Sequence, residues 1–536
     1  MLNSFAYMRN KYKNRIIVII LIIIGAFIRV YEFPAIPPGL NQDEAASAYE
    51  SYSLAKTGED RWGNKTPAYF PSWGSGQNVL LAYLSIPFIN QLGLTIFSAR
   101  IVMLLIGLLT LPLIYYCIRP LGSSIALIGL LFIVSVPWHF MLSRWGLESN
   151  ISPFFMLLGC TTLSRALLAK KSYWILFCLI PFALSLYAYG TVLIVLPMFF
   201  IIIIHFNYRI IKVNYKKWIG ALFIFVILSF PFITFILENY IFHRDILLLD
   251  QLFFGTPLFP SNRLNQVSRG SWKAILYENS HFILSGFDDH SPFSKMDGFN
   301  ILFSFALVLS FIGSVFFLYQ YFYKEKIKYV VMYEQYFVLL SIFFAWLVSS
   351  LFLSLIFFLN VNRFNNFYIP CLVMSAWGIF CVLAYVKNRI WRSILYVVVL
   401  SVVIIENGLA INYYFNSYSS YEIKDSFNDG LREAYIATDS LPVTQVCITN
   451  ELSQSYIYTL FYLQYSPKKF REEVDFEIEN GIYKVNKFGK YIFDYSFIDK
   501  SKPYGYLFYK KHMQDKENIH KKVVFSNEYW EVGIIE

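Results

Sequence analysis

The run Asn78-Val79-Leu80-Leu81-Ala82-Tyr83-Leu84-Ser85-Ile86-Pro87-Phe88-Ile89-Asn90-Gln91-Leu92-Gly93-Leu94 decides how the chain is threaded. It is apolar, but Pro87, Asn90 and Gln91 interrupt it, and it is short for a hydrocarbon core about 30 Å thick. Such a segment either crosses a membrane or lies along its surface. Charge parity separates the two. If it crossed, Arg119, Lys170, Lys171, the cluster Arg209–Lys217, Lys324, Lys326, Lys328, Lys387, Arg389 and Arg392 would all face outward, against the bias that keeps basic loops in the cytoplasm. We therefore expect an interfacial helix over Asn78–Leu94.

Working outward, Arg9, Lys11, Lys13 and Arg15 precede the apolar run Ile16–Val30. This puts the N-terminus inside and residues from Tyr31 outside. No small-residue cleavage site follows the run, so it reads as a retained first helix rather than a signal peptide. Further spans are expected over 97–118, 123–142, 151–168, 173–189, 191–206, 218–237, 299–321, 335–358, 366–386 and 391–411, eleven in all, with Gly190 as a tight outer turn. The outer loops are then 31–96, 143–150, 238–298 and 359–365. Composition agrees: 57% of residues are hydrophobic and only 15% charged, far from a soluble globular domain. The fold class is a polytopic α-helical membrane protein. The net charge of +10 sits in short clusters between apolar runs, a topological pattern rather than a nucleic-acid face. Cys117, Cys160, Cys178, Cys371 and Cys381 lie in or beside apolar runs and Cys447 stands alone, so no disulfide framework is expected.

After Ile411 the composition turns polar, and residues 412–536 read as a separate outer α/β domain beside a transmembrane domain of 1–411. Strands are expected over Val443–Thr449, Lys490–Tyr495, Val523–Ser526 and Val532–Ile535, and an amphipathic helix over Gln454–Gln464. Asp494, Asp499 and His512 have the spacing of an ordinary surface.

Chemistry is best placed in Pro37-Pro38-Gly39-Leu40-Asn41-Gln42-Asp43-Glu44-Ala45. Ionised carboxylates beside a hydrophobic segment are costly without partners or a role. Asp43 reads either as the N-cap of a helix reaching about Thr57 or as a catalytic base mounted on that helix start. Arg100, at the mouth of a span, Arg144 and Glu148, in the 143–150 turn, and Arg363 and Tyr368, flanking the small loop before Pro370, face the same side. Outward arginines oppose the positive-inside bias, and a planar guanidinium suits a phosphate; Arg144 has the alternative of an ion pair with Glu148. His243, His281 and His290 accompany Asp245, Asp288 and Asp289 in the 238–298 loop, but dispersed residues of this kind read as surface. A divalent metal is conceivable there, and no cofactor is expected to be required. Arg263 and Arg269 read as solvated.

These residues resemble a known family. Gly39–Ala45, the tail Tyr49–Gly63, Phe97-Ser98-Ala99-Arg100, and Pro137-Trp138 with Ser143-Arg144 and Glu148 are similar to the bacterial branch of glycosyltransferase family 39. That C-type membrane group includes protein O-mannosyltransferases and lipid A aminoarabinose transferases. The resemblance is strongest over about 30–170. It implies that Asp43 is the base that activates an acceptor, with Glu44 beside it, and that the donor is a sugar on a polyprenyl phosphate. Arg100, Arg144 and Glu148 match further positions of the pattern. Aminoarabinose transferases carry a Glu-Lys pair before the interfacial helix, as metal ligand and phosphate-binding group; here Gly76-Gln77-Asn78 stands instead. The expected partners are therefore membrane lipid, a polyprenyl-phosphate sugar donor and an extracytoplasmic acceptor, at a bacterial plasma membrane. A lipid or glycan transporter would also have many spans, but it would normally carry ionisable residues at mid-membrane and often internal repeats; apart from Arg29 near the outer end of the first span, the spans here contain almost no charge, and no repeat is seen. A membrane-anchored receptor ranks last, because eleven spans exceed what an anchor needs.

The charge parity makes a testable topology. Single cysteines replacing Asp429 and Lys484 are expected to react with an impermeant thiol reagent in intact cells, and those replacing Lys216 and Lys326 to stay protected. The reverse pattern would overturn the threading.

Overall fold

The computed structural model describes residues 2–72, 76–168, 173–244, 258–259, 270–323, 334–511 and 521–536. Helix α1 (Leu2–Val30) is followed by α2 (Gln42–Thr57), a short hairpin of β1 (Tyr69–Phe70) and β2 (Gln77–Asn78), and α3 (Leu80–Leu92). The bundle continues with α4 (Ile96–Ile118), α5 (Ser123–Ser135), α6 (Pro137–Leu142), α7 (Ser152–Leu168), α8 (Trp174–Phe177), α9 (Ile180–Leu186), α10 (Val192–Val213), α11 (Tyr215–Ile236), α12 (Trp272–Leu284), α13 (Ala306–Tyr323), α14 (Glu334–Leu351), α15 (Asn365–Tyr385) and α16 (Arg389–Asn416).

Among the described residues, eight helices are long and apolar enough to cross a membrane: Ile96–Leu121, Glu148–Leu168, Val192–Val213, Tyr215–Phe242, Ala306–Tyr323, Glu334–Leu355, Asn365–Tyr385 and Arg389–Asn416. The chain is a polytopic helical membrane protein. Each of the eight coincides with one of the eleven expected spans, and the other three are built differently. Ile16–Val30 is the end of the longer α1. The segment 123–142 is two helices, because Val136 is extended (φ −66°, ψ 134°) ahead of Pro137; proline lacks the amide hydrogen and disfavours helix in its predecessor. The segment 173–189 is likewise split into α8 and α9, with Pro181 in the first turn of α9. Helix α3 has 13 residues, about 20 Å at the helical rise, too short for a straight crossing. It packs against α2 and α4.

Small residues set the close crossing of α13 and α15. A Cβ on Gly313 of α13 would lie 2.2 Å from the Met374 carbonyl oxygen, and one on Gly378 of α15 would lie 2.2 Å from that of Leu309. Glycine lets the two backbones touch, the usual basis of close packing where lipid removes the hydrophobic drive. Polar side chains then fasten the layers: Trp138 Nε1 donates to Asn365 Oδ1 (2.8 Å), Asn407 Nδ2 to Ser135 Oγ (2.9 Å) and Asn207 Nδ2 to Ser341 Oγ (3.0 Å).

Helix α16 runs to Asn416, past the expected boundary at Ile411, because its helical hydrogen bonding continues until Ser417. Beyond it lie α17 (Tyr421–Ser426), α18 (Leu431–Asp439), α19 (Tyr456–Tyr462) and α20 (Pro467–Glu473). They accompany a seven-stranded sheet of β3 (Val446–Ile448), β4 (Asp475–Glu479), β5 (Ile482–Phe488), β6 (Tyr491–Ile492), β7 (Tyr504–Tyr509), β8 (Lys521–Ser526) and β9 (Trp530–Ile535). The order is β4-β5-β6-β3-β7-β9-β8, with β3 parallel to β6 and β7 and the remaining pairs antiparallel. The expected strands correspond to β3, β6, β8 and β9, and the expected helix to α19. The hairpin β4–β5 and strand β7 were not foreseen. The hairpin turns on Asn480 and Gly481, both at positive φ, a pairing that favours a two-residue loop.

This α/β unit is not a bead on a tether. Leu40, Ala45, Ala48 and Tyr49 of the first loop, with Leu94 and Ala99, share one buried apolar cluster with Leu431, Tyr435, Ile457, Phe461 and Trp530. Substituting Gly378 by Val is expected to push α13 and α15 apart and destabilise the protein by about 1–3 kcal/mol, the usual cost of overpacking. Gly408→Ala, where an added Cβ meets nothing within 4 Å, is the control. Thermal melts of the two purified variants make the comparison, and equal melting temperatures would refute the crossing.

Candidate active site

Residues 37–45 lead into α2, and the structure answers the capping reading of Asp43. The cap is Asn41, not Asp43: Asn41 is extended (φ −77°, ψ 154°), and its side chain accepts the Asp43 N–H at 2.9 Å. Asp43 is the second residue of the helix and is half-buried. The reciprocal half of the capping box comes from Glu44, whose Oε2 accepts the Asn41 N–H at 3.1 Å.

Glu44 is fully committed. Its Oε1 accepts from Arg100 Nε (2.9 Å) and from the Gly146 N–H (2.5 Å), and its Oε2 from Arg100 Nη2 (2.9 Å) as well as Asn41. Arg100 is equally saturated. Beyond the two-pronged pair it donates to the carbonyls of Pro34 (2.8 Å), Pro37 (2.7 Å) and Gly39 (2.9 Å), so all five of its N–H groups are bonded. The expectation that Arg100 binds a donor phosphate is corrected accordingly: it has no donor left and is fully buried. Glu44, expected as a second catalytic carboxylate, has its acceptor capacity taken up by these four donors.

Arg144 is held differently, and its buried Nη2 has no hydrogen-bond partner among the described residues. Rather than phosphate or Glu148, it donates to Ile36 O (3.1 Å), Ile28 O (3.2 Å) and Arg29 O (2.9 Å), and stacks on Tyr414 and Phe415. Ile28 and Arg29 lie in the last turn of α1, where carbonyls lack helical partners. Tyr368 is buried within α15 among Trp138, Phe287 and Phe364 rather than on an open wall. Its hydroxyl has no hydrogen-bond partner among the described residues.

Glu148 and Arg363 do come together. Both line a cleft with Tyr69, Asn78, Tyr189 and Phe232. Glu148 Oε2 accepts the Asn78 N–H at 3.1 Å, and Arg363 Nη1 donates to Phe358 O at 2.8 Å. Strand β2 links this cleft to the carboxylate helix: Gln77 Nε2 reaches the Asp43 carbonyl at 3.4 Å, and the next residue, Asn78, forms part of the cleft wall. An aromatic, largely apolar cleft with one guanidinium and a carboxylate at its rim suits an amphiphile with an anionic head. Sequence reasoning missed the wall residues. Tyr69, Tyr189 and Phe232 are aromatic residues of a kind abundant throughout the chain, and Asn78 stood only as part of the Gly76-Gln77-Asn78 departure.

A second buried pair steadies the far end of the first loop. Arg61 Nη1 lies 3.2 Å from Glu50 Oε1, and the Arg61 N–H donates to Glu50 Oε2 at 2.9 Å. Burial pushes the Glu50 carboxyl up to about 8, with Arg61 opposing the rise. From the α/β unit, Arg471 donates to Asp60 O (3.0 Å) and pairs with Glu59 (3.1 Å). In the 238–298 loop, Asp288 binds Lys295, and Asp289 accepts the N–H groups of Ser291 (3.0 Å) and Val361 (2.9 Å). Asp245, Arg263, Arg269 and His512 lie outside the described residues. Among the described residues, no group of three or more His, Cys, Asp or Glu is placed to hold a metal ion. All six cysteines are free and buried.

Residues 79–235 match the family model described as dolichyl-phosphate-mannose-protein mannosyltransferase. No curated protein matches the chain in sequence. In fold, the chain is similar to ArnT from Cupriavidus metallidurans in the apo state, with a TM-score of 0.52 at 12% identity over 98% of each chain. The same enzyme bound to undecaprenyl phosphate gives 0.52 at 11% identity over 97% of each. The oligosaccharyltransferase of Archaeoglobus fulgidus in complex with Zn and sulfate gives 0.51 at 12% identity, covering 83% of this chain and 61% of that one. The chain thus spans less than two thirds of the archaeal enzyme and nearly the whole of ArnT. In sequence over 79–235 and in fold over nearly its whole length, it resembles the C-type polytopic membrane glycosyltransferases, the group of the protein mannosyltransferases and aminoarabinose transferases.

Proposed function

We propose that this protein is a membrane glycosyltransferase that moves one sugar from a polyprenyl-phosphate donor to a hydroxyl acceptor, with Asp43 as general base. The carrying observation is the placement of Asp43. It sits second in a helix whose start is locked by Glu44 and Arg100, one strand away from an aromatic cleft that holds Arg363 and Glu148. In the reaction the acceptor hydroxyl gives its proton to Asp43 as its oxygen attacks the anomeric carbon, and the bond from that carbon to the phosphate oxygen breaks. Attack opposite the leaving phosphate inverts the anomeric centre. Arg363, which lines the cleft, stabilises the departing phosphate, a task for which fixed positive groups are effective. The isoprenoid chain lies against Tyr69, Tyr189 and Phe232. None of these steps calls on a metal or cofactor. On the charge parity of the loops, the site faces outward, where the acceptor is a protein, a lipid or a cell-surface glycan. The family match over 79–235 and the fold shared with ArnT support this reading, the latter enzyme having been observed with undecaprenyl phosphate.

Asp43→Asn is expected to lower turnover by about 10²–10⁴-fold, the usual contribution of a general base, at an unchanged melting temperature. Glu44→Ala is expected to lower both, since breaking a buried ion pair costs about 3–5 kcal/mol. Wild-type turnover in folded Asp43→Asn would return that residue to a helix-end charge.

The donor is tested with purified protein, a cell-envelope extract as acceptor, and either radiolabelled mannosyl undecaprenyl phosphate or GDP-mannose. Transfer is expected from the lipid only, and Arg363→Ala is expected to raise the lipid KM by about tenfold or more, one charge-assisted contact. Transfer from the nucleotide sugar with no lipid intermediate would reject the proposal.

A further inference from the structure

We infer that Phe427 and Asn428, in the turn that opens the α/β unit, are positioning groups for the Asp43 carboxylate, so that the C-terminal unit completes the active site. The inference rests on the reading of Asp43 as the base, and it starts from the residue before the helix cap. Leu40 is fully buried, and both of its backbone polar groups are held by consecutive residues nearly four hundred positions away. Its N–H donates to Phe427 O at 2.5 Å, and its carbonyl accepts from Asn428 Nδ2 at 3.3 Å. Asn428 Nδ2 also donates to the hydroxyl of Tyr458, in α19, at 2.8 Å.

The contact is specific to the residues present. Gly39 has φ +72°, and a Cβ there would lie 2.1 Å from Phe427 O, so only glycine lets the two backbones meet. Asn428 itself has φ +54°, a conformation that asparagine tolerates better than most side chains. From the opposite side, Arg100 Nη2 holds the Gly39 carbonyl at 2.9 Å. The peptide Gly39-Leu40 is thus gripped between the bundle and the α/β unit, three residues before Asp43.

The grip is anchored deep in the α/β unit. Trp530 Nε1 donates to Asp429 O at 2.9 Å, and Asn527 Nδ2 to Gly430 O at 3.0 Å, tying the turn to β9 and to the loop before it. The Phe427 ring is buried against Trp145 and Phe293. Tyr458 is also buried, and desolvation, with Tyr462 and Asp43 close by, holds its phenol well above the ordinary range, so it stays neutral beside the carboxylate. The turn acts on the site through Leu40 and the helix start.

The test uses the full-length protein in detergent, with the undecaprenyl-phosphate mannose assay and amide hydrogen exchange of the peptide spanning 38–46. Asn428→Gly keeps the positive φ and removes the amide. Asn428→Asp keeps the shape but turns an oxygen toward the Leu40 carbonyl. Both are expected to fold, to lose about tenfold to a hundredfold in kcat, as a misplacement of about 1 Å can cost, and to keep the donor KM within about twofold. Exchange in 38–46 is expected to quicken in both, and Asn428→Gln, which restores an amide, to recover part of the rate. Wild-type kcat in folded Asn428→Gly, or unchanged exchange, overturns the inference. Asp43→Asn run alongside separates the two readings. If Asp43→Asn is slow while Asn428→Gly is not, the positioning role alone fails. If Asp43→Asn transfers at the wild-type rate while Asn428→Gly stays slow, the base assignment fails, and the proposed link through Asp43 falls with it.

Discussion

The Arg100–Glu44 pair is the constraint on which the site depends. Burying a guanidinium and a carboxylate carries a desolvation cost that attraction offsets only when the remaining hydrogen-bonding capacity is filled. Here it is filled: Arg100 uses every N–H, and Glu44 accepts from four donors. In doing so the pair joins α4, the loop 34–39, the start of α2 and the 146 turn. Asp43 inherits its orientation from this arrangement, because consecutive helix residues point about 100° apart. With Glu44 turned into the pair, its neighbour is directed to a different side.

The same economy governs the other buried arginines. Broken helices leave carbonyls without partners, and those groups are expensive inside an apolar bundle. Arg29 meets this need at the end of α5, donating to Ile133 O (2.8 Å) and Val134 O (3.3 Å), and Arg144 meets it at the end of α1. Three arginines that stand out in the sequence as anomalous charges therefore hold backbone together. Arg363, half-buried, lines the cleft wall together with Glu148 and Asn78.

The α/β unit belongs to the same construction. It contributes Leu431, Tyr435 and Trp530 to the core beneath α2 and reaches the first loop through Tyr49, whose hydroxyl donates to Tyr465 O at 2.8 Å. A helix of sixteen residues with weak amphipathic character would be marginal alone, since short helices draw their stability from packing. Sandwiched between bundle and α/β unit, it becomes a rigid mount for a carboxylate.

The sequence by itself determined the membrane class, most of the long spans, the shortness of the apolar stretch that forms α3, the polar unit after the last helix, and a helix start that carries Asp43 and Glu44. Those features are written in local composition: apolar length, basic clusters and a cap-like start. It also held signals that went unread, such as Asn480-Gly481 between alternating residues. Only the tertiary structure decided what the arginines do. Whether a guanidinium meets phosphate or a carbonyl depends on which helix ends are left open beside it, as Val136 opens α5 for Arg29. It likewise decided that Asn41 rather than Asp43 is the cap, that Glu148 and Arg363 share a cleft with Asn78, and that Leu40 is gripped by Phe427 and Asn428. Each of these joins residues far apart along the chain, and no local pattern encodes such a partner.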